Sequence, residues 1–166
     1  PLFNLGTANN GADGTLDFYF RQSGWTDVNH LHSVGEPLNG TWRHVAFVQQ
    51  TDGTRALFID GTKDTVDIPA KADGTWRVNT TTIGGIQRAN ATHFVTGLID
   101  EVVLWSRALS EAEVQQVAKD GLDSVFPPLA KGMVAYWPLA DVLGVDRVPR
   151  LVAPRPRAGD GRRGSD

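Results

Sequence analysis

The chain lacks cysteine, has one methionine and contains no long uninterrupted apolar run. Without cysteine, disulfides and thiolate metal sites are excluded. No apolar stretch approaches the roughly 20 residues that a membrane helix needs, which argues against membrane insertion. The chain has 166 residues, of which 40% are hydrophobic and 21% charged. This composition is ordinary for a soluble globular domain with a sizeable core.

Charge is distributed unevenly along the chain. Residues 145–166 hold six arginines and three aspartates, whereas residues 1–144 hold ten basic and sixteen acidic side chains. The main body is therefore mildly acidic, which argues against a nucleic-acid partner. The tail is rich in Arg, Pro and Gly without periodicity, and we expect residues 145–166 to be disordered. Because the chain begins at Pro1 without an initiator Met, we expect it to be part of a larger multidomain protein.

Glycine is abundant, with 18 residues, and it separates short stretches of alternating apolar and polar residues. Residues 16–20 alternate most clearly. Residues 42–49 and 56–60 predict a hairpin, for which the pair Asp52 and Gly53 suits a type I′ turn. Weaker strands are predicted over 1–6, 29–34, 65–68, 76–78 and 81–85. Short strands at this spacing predict a sandwich or barrel.

One stretch predicts a strand followed by a short helix. Residues 98–105 are mostly apolar and β-branched, although Asp100 and Glu101 interrupt the run. Ser110 and Glu113 then form a capping-box pattern that predicts a helix over about 110–119. Gly121 is the expected stop. No nucleophile or general base stands out in this stretch, which favours a structural role.

Three segments resemble the laminin-G-like jelly roll of the concanavalin A-like lectin/glucanase superfamily, which is also the fold of the pentraxins. Residues 40–48 (GTWRHVAFV) are similar to the family strand G-x-W-x-H-V-A, and residues 57–61 (LFIDG) are similar to its partner L-Y-V-D-G. The closing signature is represented by TIGG, GLIDEV and WSRALS-x-x-EV within residues 82–114. The resemblance implies an all-β antiparallel sandwich with one short C-terminal helix.

The resemblance divides the chain into a laminin-G-like sandwich at 1–121 without its first strands, a linker at 122–131, and a strand-like segment at 132–144. The family's opening strand resembles G-L-V-A-Y-W-P-L, and here its counterpart, GMVAYWPL, follows the domain at 132–139. That segment either begins a second repeat or folds back onto the sandwich. Fold-back is favoured, because a missing strand would leave an unpaired sheet edge.

Most aromatic residues lie in alternating stretches, where core packing is favoured over a sugar-stacking face. The expected core set is Trp42, Trp76, Trp105, Trp137, Phe18, Phe20, Phe47 and Phe58. Trp25 differs, because it lies in a loop, and it is the best candidate for an exposed aromatic platform. With Asp27, Arg88 and Asn90 it forms the predicted ligand-binding set.

Loop carboxylates offer the oxygen ligands that Ca²⁺ prefers, and many proteins of the resembled family bind calcium. The predicted ligands are Asp13, Asp27 and Asp64, with Asp67 and Asp100 as further candidates. For each of them, turn formation or capping is the favoured alternative. The resemblance implies that Asp100 is instead a buried carboxylate held by backbone amides.

Histidines and paired carboxylates are the remaining residue types that could form a metal or catalytic site. His30 and His32 would share a strand face and could form half of a transition-metal site, although a structural role is favoured because His44 and His93 are scattered. Glucanases of the superfamily carry an E-x-D-x-E strand, and this triplet is absent here. The chain is therefore expected not to be an enzyme.

The resemblance implies a non-catalytic extracellular binding or adhesion module that recognises a carbohydrate or a protein partner, with Ca²⁺ as the candidate cofactor. An extracellular, cell-surface or periplasmic location follows from the same resemblance. The alternatives are a ligand-free structural accessory domain and, with less support, a truncated lectin-fold glycoside hydrolase.

Overall fold

A computed structural model describes residues 2–21, 29–65, 68–69, 80–87, 90–125 and 128–139. The strands are β1 (Leu2–Thr7), β2 (Leu16–Arg21), β3 (Asn29–His32), β4 (Val45–Gln49), β5 (Thr54–Ile59), β6 (Thr62–Lys63), β7 (Ile68–Pro69), β8 (Ile86–Gln87), β9 (Ala91–Thr92), β10 (Val102–Trp105) and β11 (Met133–Trp137). The α-helix is α1 (Glu111–Val125), and short 3-10 helices cover Ala8–Gly11 and Pro128–Ala130.

All strand pairs are antiparallel, in the sheets β1-β2-β3, β4-β5-β6 with β7 on β5, β8-β9 and β10-β11. Together with the single α-helix of the described residues, this arrangement confirms the predicted all-β class. No helix in the described part of the chain has the length and apolar character needed to cross a membrane. The predictions for Trp25, Asp27, Asp67, Trp76, Arg88 and the tail 145–166 lie outside the described residues.

The β4-β5 hairpin is packed on both faces. On one face Leu57 is fully buried and contacts Phe18 and Leu31 of the β1-β2-β3 sheet. On the other face Phe58 is buried in a cluster that includes Val114 of α1. This two-sided burial follows from the alternation along β4 and β5, which places successive side chains on opposite faces. The order of layers is therefore sheet, sheet, helix.

The predicted capping box is present at the start of α1. The Glu113 amide donates to Ser110 Oγ at 3.3 Å, and the Ser110 amide donates to Glu113 Oε2 at 2.8 Å. The Arg107 guanidinium adds two hydrogen bonds to the Glu113 carboxylate, at 2.9 and 2.7 Å. The helical conformation breaks at Gly121, whose φ is 70° and ψ is 172°. Gly121 therefore kinks the helix but does not end it, and α1 continues to Val125, beyond the predicted stop.

The first of the two Asp-Gly turns differs in type from the prediction, and the second has the geometry expected of the first. At the first turn Gly53 has a φ of 87°, whereas Asp52 does not have a positive φ, so the predicted type I′ turn is wrong. The Asp52 carboxylate instead accepts the amide and hydroxyl hydrogens of Thr54, which stabilises an Asx turn. Asp60 and Gly61 both have positive φ, 49° and 78°, and they form the two-residue loop between β5 and β6. Type I′ geometry therefore occurs at the second Asp-Gly pair.

The closing strand is shorter than the apolar run predicted. It begins at Val102, because Glu101 has a φ of 49°, which interrupts extended backbone. Asp100 is exposed, and its Oδ1 accepts only a local bond from the Glu101 amide in the described structure. The expected buried Asp100 carboxylate is therefore wrong. Strand structure also starts after residues 81–85, at Ile86.

The tryptophans divide between core and surface. Trp105 is partly buried, packs against both of the hydrophobic clusters that include α1 residues, and donates its indole N–H to the Leu129 carbonyl at 2.8 Å. Trp137 is partly buried and lies in β11, which pairs with β10 as the fold-back arrangement requires. Trp42 is 65% exposed, so its expected place in the core is wrong. It precedes β4, and the alternating burial of the hairpin does not extend to it.

The capping contacts make stability depend on pH. Hydrogen bonding to Arg107 and then to the Ser110 amide lowers the pKa of Glu113 from 4.5 to about 2. Since the folded pKa lies below the unfolded one, this stabilisation is present above about pH 4.5 and is lost as the pH falls towards 2. We expect Glu113→Gln to flatten the acid limb of stability measured by urea unfolding. Glu111→Gln, in the same helical turn, is the control and should keep the parental profile; equal flattening would contradict the assignment.

The β5-β6 turn is held close to α1. A Cβ on Gly61 would lie 3.0 Å from Gln115 Cα and 3.1 Å from Ala118 Cβ, whereas a Cβ on Gly40 would meet nothing within 4 Å. Both glycines have similar φ, 78° and 82°. Gly40→Ala should therefore cost only the left-handed conformation, about 1 kcal/mol. Gly61→Ala should add overpacking, for a total of about 3 kcal/mol in chemical unfolding. Equal losses would show that the turn does not press on the helix.

Candidate functional site

An open groove of about 250 Å³ lies where the loop after β3 meets the end of the β5-β6 hairpin. We call it the charged groove. Its lining consists of Gly35, Glu36, Pro37, Arg43, Ile59, Thr62, Lys63 and Asp64. Cationic and anionic side chains therefore line one concave surface, with Ile59 and Pro37 as apolar elements.

Asp64 joins the two sides of the charged groove. Its carboxylate accepts the backbone amide hydrogens of Val34 at 2.6 Å and Gly35 at 2.9 Å. A Cβ on Gly35 would lie 2.9 Å from Asp64 Oδ1 and 3.1 Å from Ile59 Cδ1. Glycine at position 35 thus permits the close approach that these hydrogen bonds need. The loop after β3 is thereby held against the β5-β6 hairpin.

Arg43 is positioned by Asp60 at the opposite end of the groove. The Asp60 carboxylate forms an ion pair with the Arg43 guanidinium and accepts the His44 amide hydrogen at 3.0 Å. The Asp60 amide in turn donates to the His44 carbonyl at 2.8 Å. Burial lowers the pKa of His44, and the Asp60 charge opposes this only in part. His44 is therefore the neutral neighbour of a charged pair near neutral pH.

The remaining charged groups of the groove come from β6 and the loop after β3. Lys63 Nζ lies 3.7 Å from the Glu111 carboxylate of α1, a distance typical of a loose ion pair. Glu36 is exposed beside Pro37. Guanidinium and ammonium groups donate hydrogen bonds, while carboxylates accept them. The groove can therefore bind a ligand that carries both donors and acceptors.

The predicted calcium residues do not converge in the described structure. Asp13 accepts the hydroxyl and amide hydrogens of Thr15 at 2.7 and 3.1 Å, and the hydroxyl bond is the main cause of its lowered pKa. Asp64 is engaged by two backbone amides as above. Among the described residues, neither belongs to a cluster of three or more ligating side chains. A calcium site formed by Asp13, Asp64 and Asp27 therefore stays a prediction.

The predicted ligand residues are divided by the limits of the described structure. Asn90 is exposed and immediately precedes β9, whose Ala91 lines a small apolar pocket of about 140 Å³ together with Ile83 and Phe94. Trp25, Asp27 and Arg88 lie outside the described residues. The predicted ligand set of Trp25, Asp27, Arg88 and Asn90 therefore stays a prediction.

Sequence reasoning missed Arg43, Lys63 and the exposed Trp42 as site residues. Arg43 and Trp42 fall inside the motif that identifies the fold, so they were interpreted as structural. Their exposure could have been suspected only from the start of β4 at Val45, since residues before a strand need not follow its alternation. The second Asp-Gly pair was a usable signal for Lys63. It predicts a tight turn at residues 60 and 61, and Lys63 lies in β6 directly after that turn.

The stacked antiparallel sheets and single described helix define an all-β sandwich domain. A laminin-G family model, described as "Concanavalin A-like lectin/glucanases superfamily", matches residues 3–115. The match covers more than half of the chain, and the chain belongs to this family. This finding confirms the resemblance carried by residues 40–48 and 57–61.

Among solved structures, the chain is similar to a 2.1 Å crystal structure of an S-layer domain-containing protein (residues 221-444) from Clostridium thermocellum ATCC 27405. The identity is 24% and the TM-score is 0.44. The similarity covers 65% of this chain and 53% of that one, so the chain spans about half the length of this relative. No curated protein matches the chain.

The Asp64 contacts predict a long-range stabilising role. Asp64→Ala leaves the amides of Val34 and Gly35 without their carboxylate, and we expect it to lower the free energy of unfolding by about 2 kcal/mol. Asp52→Ala is the matched control, because it also removes two hydrogen bonds, but both lie within its own exposed turn. That variant should lose about 0.5 kcal/mol. Urea unfolding measures both variants. A loss of unfolding free energy in Asp64→Ala that is no larger than in Asp52→Ala would contradict the long-range stabilising role of Asp64.

Proposed function

We propose that this chain is a non-catalytic binding module whose charged groove recognises a glycan. Membership of the superfamily supports a binding or adhesion domain only in general terms, since one sandwich fold hosts many functions. The observation that carries the glycan proposal is the groove itself. It combines donors and acceptors with a small apolar surface, the combination that suits a polyhydroxylated ligand.

Trp42 is the second element of the proposed surface. Its side chain is 65% exposed and immediately precedes Arg43, which lines the groove. An exposed indole ring offers an apolar face together with a polar N–H, so it can contact the apolar face of a sugar ring. Trp25 remains the other proposed aromatic contact, from its sequence position alone. A protein partner is the competing ligand class for the same surface.

The proposal assigns no catalytic step to the chain. The E-x-D-x-E arrangement of superfamily glucanases is absent from the sequence. Glycosidases of the common type need two carboxyl groups across the scissile bond, about 5–5.5 Å apart in retaining enzymes and wider in inverting ones. In the groove, Asp64 is occupied by backbone amides, which suits a structural role better than proton transfer. We further propose an extracellular or surface location, as part of a larger protein, on the basis of the family.

A glycan array followed by isothermal titration calorimetry, with and without Ca²⁺, tests the proposal. We expect binding of at least one glycan class, with micromolar to millimolar affinity. Lys63→Ala and Trp42→Ala should each weaken binding about five- to tenfold, because they remove a donor and a stacking face from the ligand surface. Lys119→Ala is the control, since Lys119 is an exposed lysine of α1 that does not line the groove.

The outcomes separate the competing functions. A flat trace across all glycans, with and without Ca²⁺, would support the ligand-free accessory domain. Binding that survives both groove variants but is lost in Trp25→Ala would move the site to the loop 24–27. Turnover of a polysaccharide by the purified chain would overturn the non-catalytic assignment and favour the truncated hydrolase.

A further inference from the structure

The solvent-facing side of the β2-β3 pair carries a group of three side chains that the proposed function does not use. In β2, Leu16 and Phe18 are buried, so Asp17 lies on the opposite face of the sheet. In β3, the burial of Leu31 likewise places His30 and His32 on that opposite face. The register pairs Asp17 directly with His32 and leaves His30 on the diagonal. Strand alternation and register together gather one carboxylate and two imidazoles.

The distances within this group suit ligands of one metal ion. His30 Nδ1 lies 2.7 Å from Asp17 Oδ2, and His32 Nε2 lies 3.5 Å from Asp17 Oδ1. One ligating atom from each residue can be chosen so that all three lie within 4.8 Å of one another. Tetrahedral zinc ligands at about 2.1 Å from the ion are about 3.4 Å apart. Small rotations of the two histidine side chains would therefore bring the three ligating atoms to the spacing of ligands around one zinc ion.

The Asp17 carboxylate supplies an independent reason to expect a cation. Its side chain is only 13% exposed, whereas His30 and His32 are 44% and 59% exposed. Asp17 Oδ1 is buried and accepts no hydrogen bond from the described residues. A buried carboxylate oxygen that accepts no hydrogen bond carries a desolvation cost that a bound cation would offset. The imidazoles remain accessible, so an ion can enter from solvent.

We propose that Asp17, His30 and His32 bind a divalent first-row transition-metal ion, with Zn²⁺ as the reference ion. Two imidazole nitrogens and one carboxylate oxygen favour zinc, copper or nickel over calcium and magnesium, which prefer all-oxygen sets. Three protein ligands leave a coordination position for water or an external ligand. The site lies on the β2-β3 strands, and its residues are distinct from those of the charged groove, so it is independent of glycan binding.

Titration calorimetry of the full chain with ZnCl₂, in a buffer that does not chelate zinc, tests the proposal. We expect one Zn²⁺ per chain, with affinity lowered at least tenfold in His32→Ala and in Asp17→Asn. His93→Ala is the matched control, because His93 is an exposed histidine outside the cluster and should leave zinc binding unchanged. Excess Ca²⁺ should not displace the zinc.

Thermal melts without metal check that the variants fold, and a second metal gives an independent readout of the ligands. His32 is exposed, so His32→Ala should melt close to the parent, and Zn²⁺ should raise the melting temperature of the parent but not of this variant. Electron paramagnetic resonance of the Cu²⁺ complex should show coupling to two nitrogens in the parent and to one in His32→Ala. No stoichiometric zinc binding, or binding retained in both site variants, would overturn the proposal. In that case Asp17 and His30 form only a surface hydrogen-bonded pair.

Discussion

The burial of both faces of the β4-β5 hairpin is the constraint on which the other contacts depend. Leu57 and Phe47 face the β1-β2-β3 sheet, while Phe58 and Val48 face α1. Each layer thus buries its apolar side against the same two strands, so one hairpin aligns the outer sheet and the helix. Loss of this hairpin would expose both of these hydrophobic clusters at once.

Polar contacts at one end of this hairpin order the side chains and the loop that line the charged groove. Asp60 positions Arg43, and Asp64 holds the loop after β3, so the charged groove forms beside the β5-β6 turn. Arg107 and Glu113 connect the start of α1 to the segment that leads to β11, through the Lys131 carbonyl. The carboxylates therefore act mainly by ordering loops. Asp13 and Asp64 were plausible metal ligands in the sequence, whereas in the structure Asp13 accepts hydrogen bonds from neighbouring Thr15 and Asp64 accepts them from the distant amides of Val34 and Gly35.

Local patterns predicted the elements whose stabilising contacts are themselves local. The alternation at residues 16–20, the central hairpin, and the Ser110–Glu113 capping box needed only neighbours in sequence, and they were predicted correctly. The exposure of Trp42 and Asp100 was not predicted, because burial depends on what another layer covers. The type of the Asp52 turn also could not be obtained from the Asp-Gly pair alone. Its side-chain bonds to Thr54 competed with the expected type I′ geometry.

At the proposed metal site, the contribution of the sequence and that of the tertiary structure are most clearly distinct. Placement of His30 and His32 on one strand face was evident from their spacing of two, since side chains alternate along any strand. The approach of Asp17 was not, because it depends on the register between β2 and β3, which long-range packing of Leu31 and Phe18 selects. By itself the sequence determined the family, through its motifs. It also determined the strand alternation and the helix cap, because these depend on residues close together in sequence. Only tertiary structure decided which polar groups meet, since a shift of one residue in register would turn them to the opposite face.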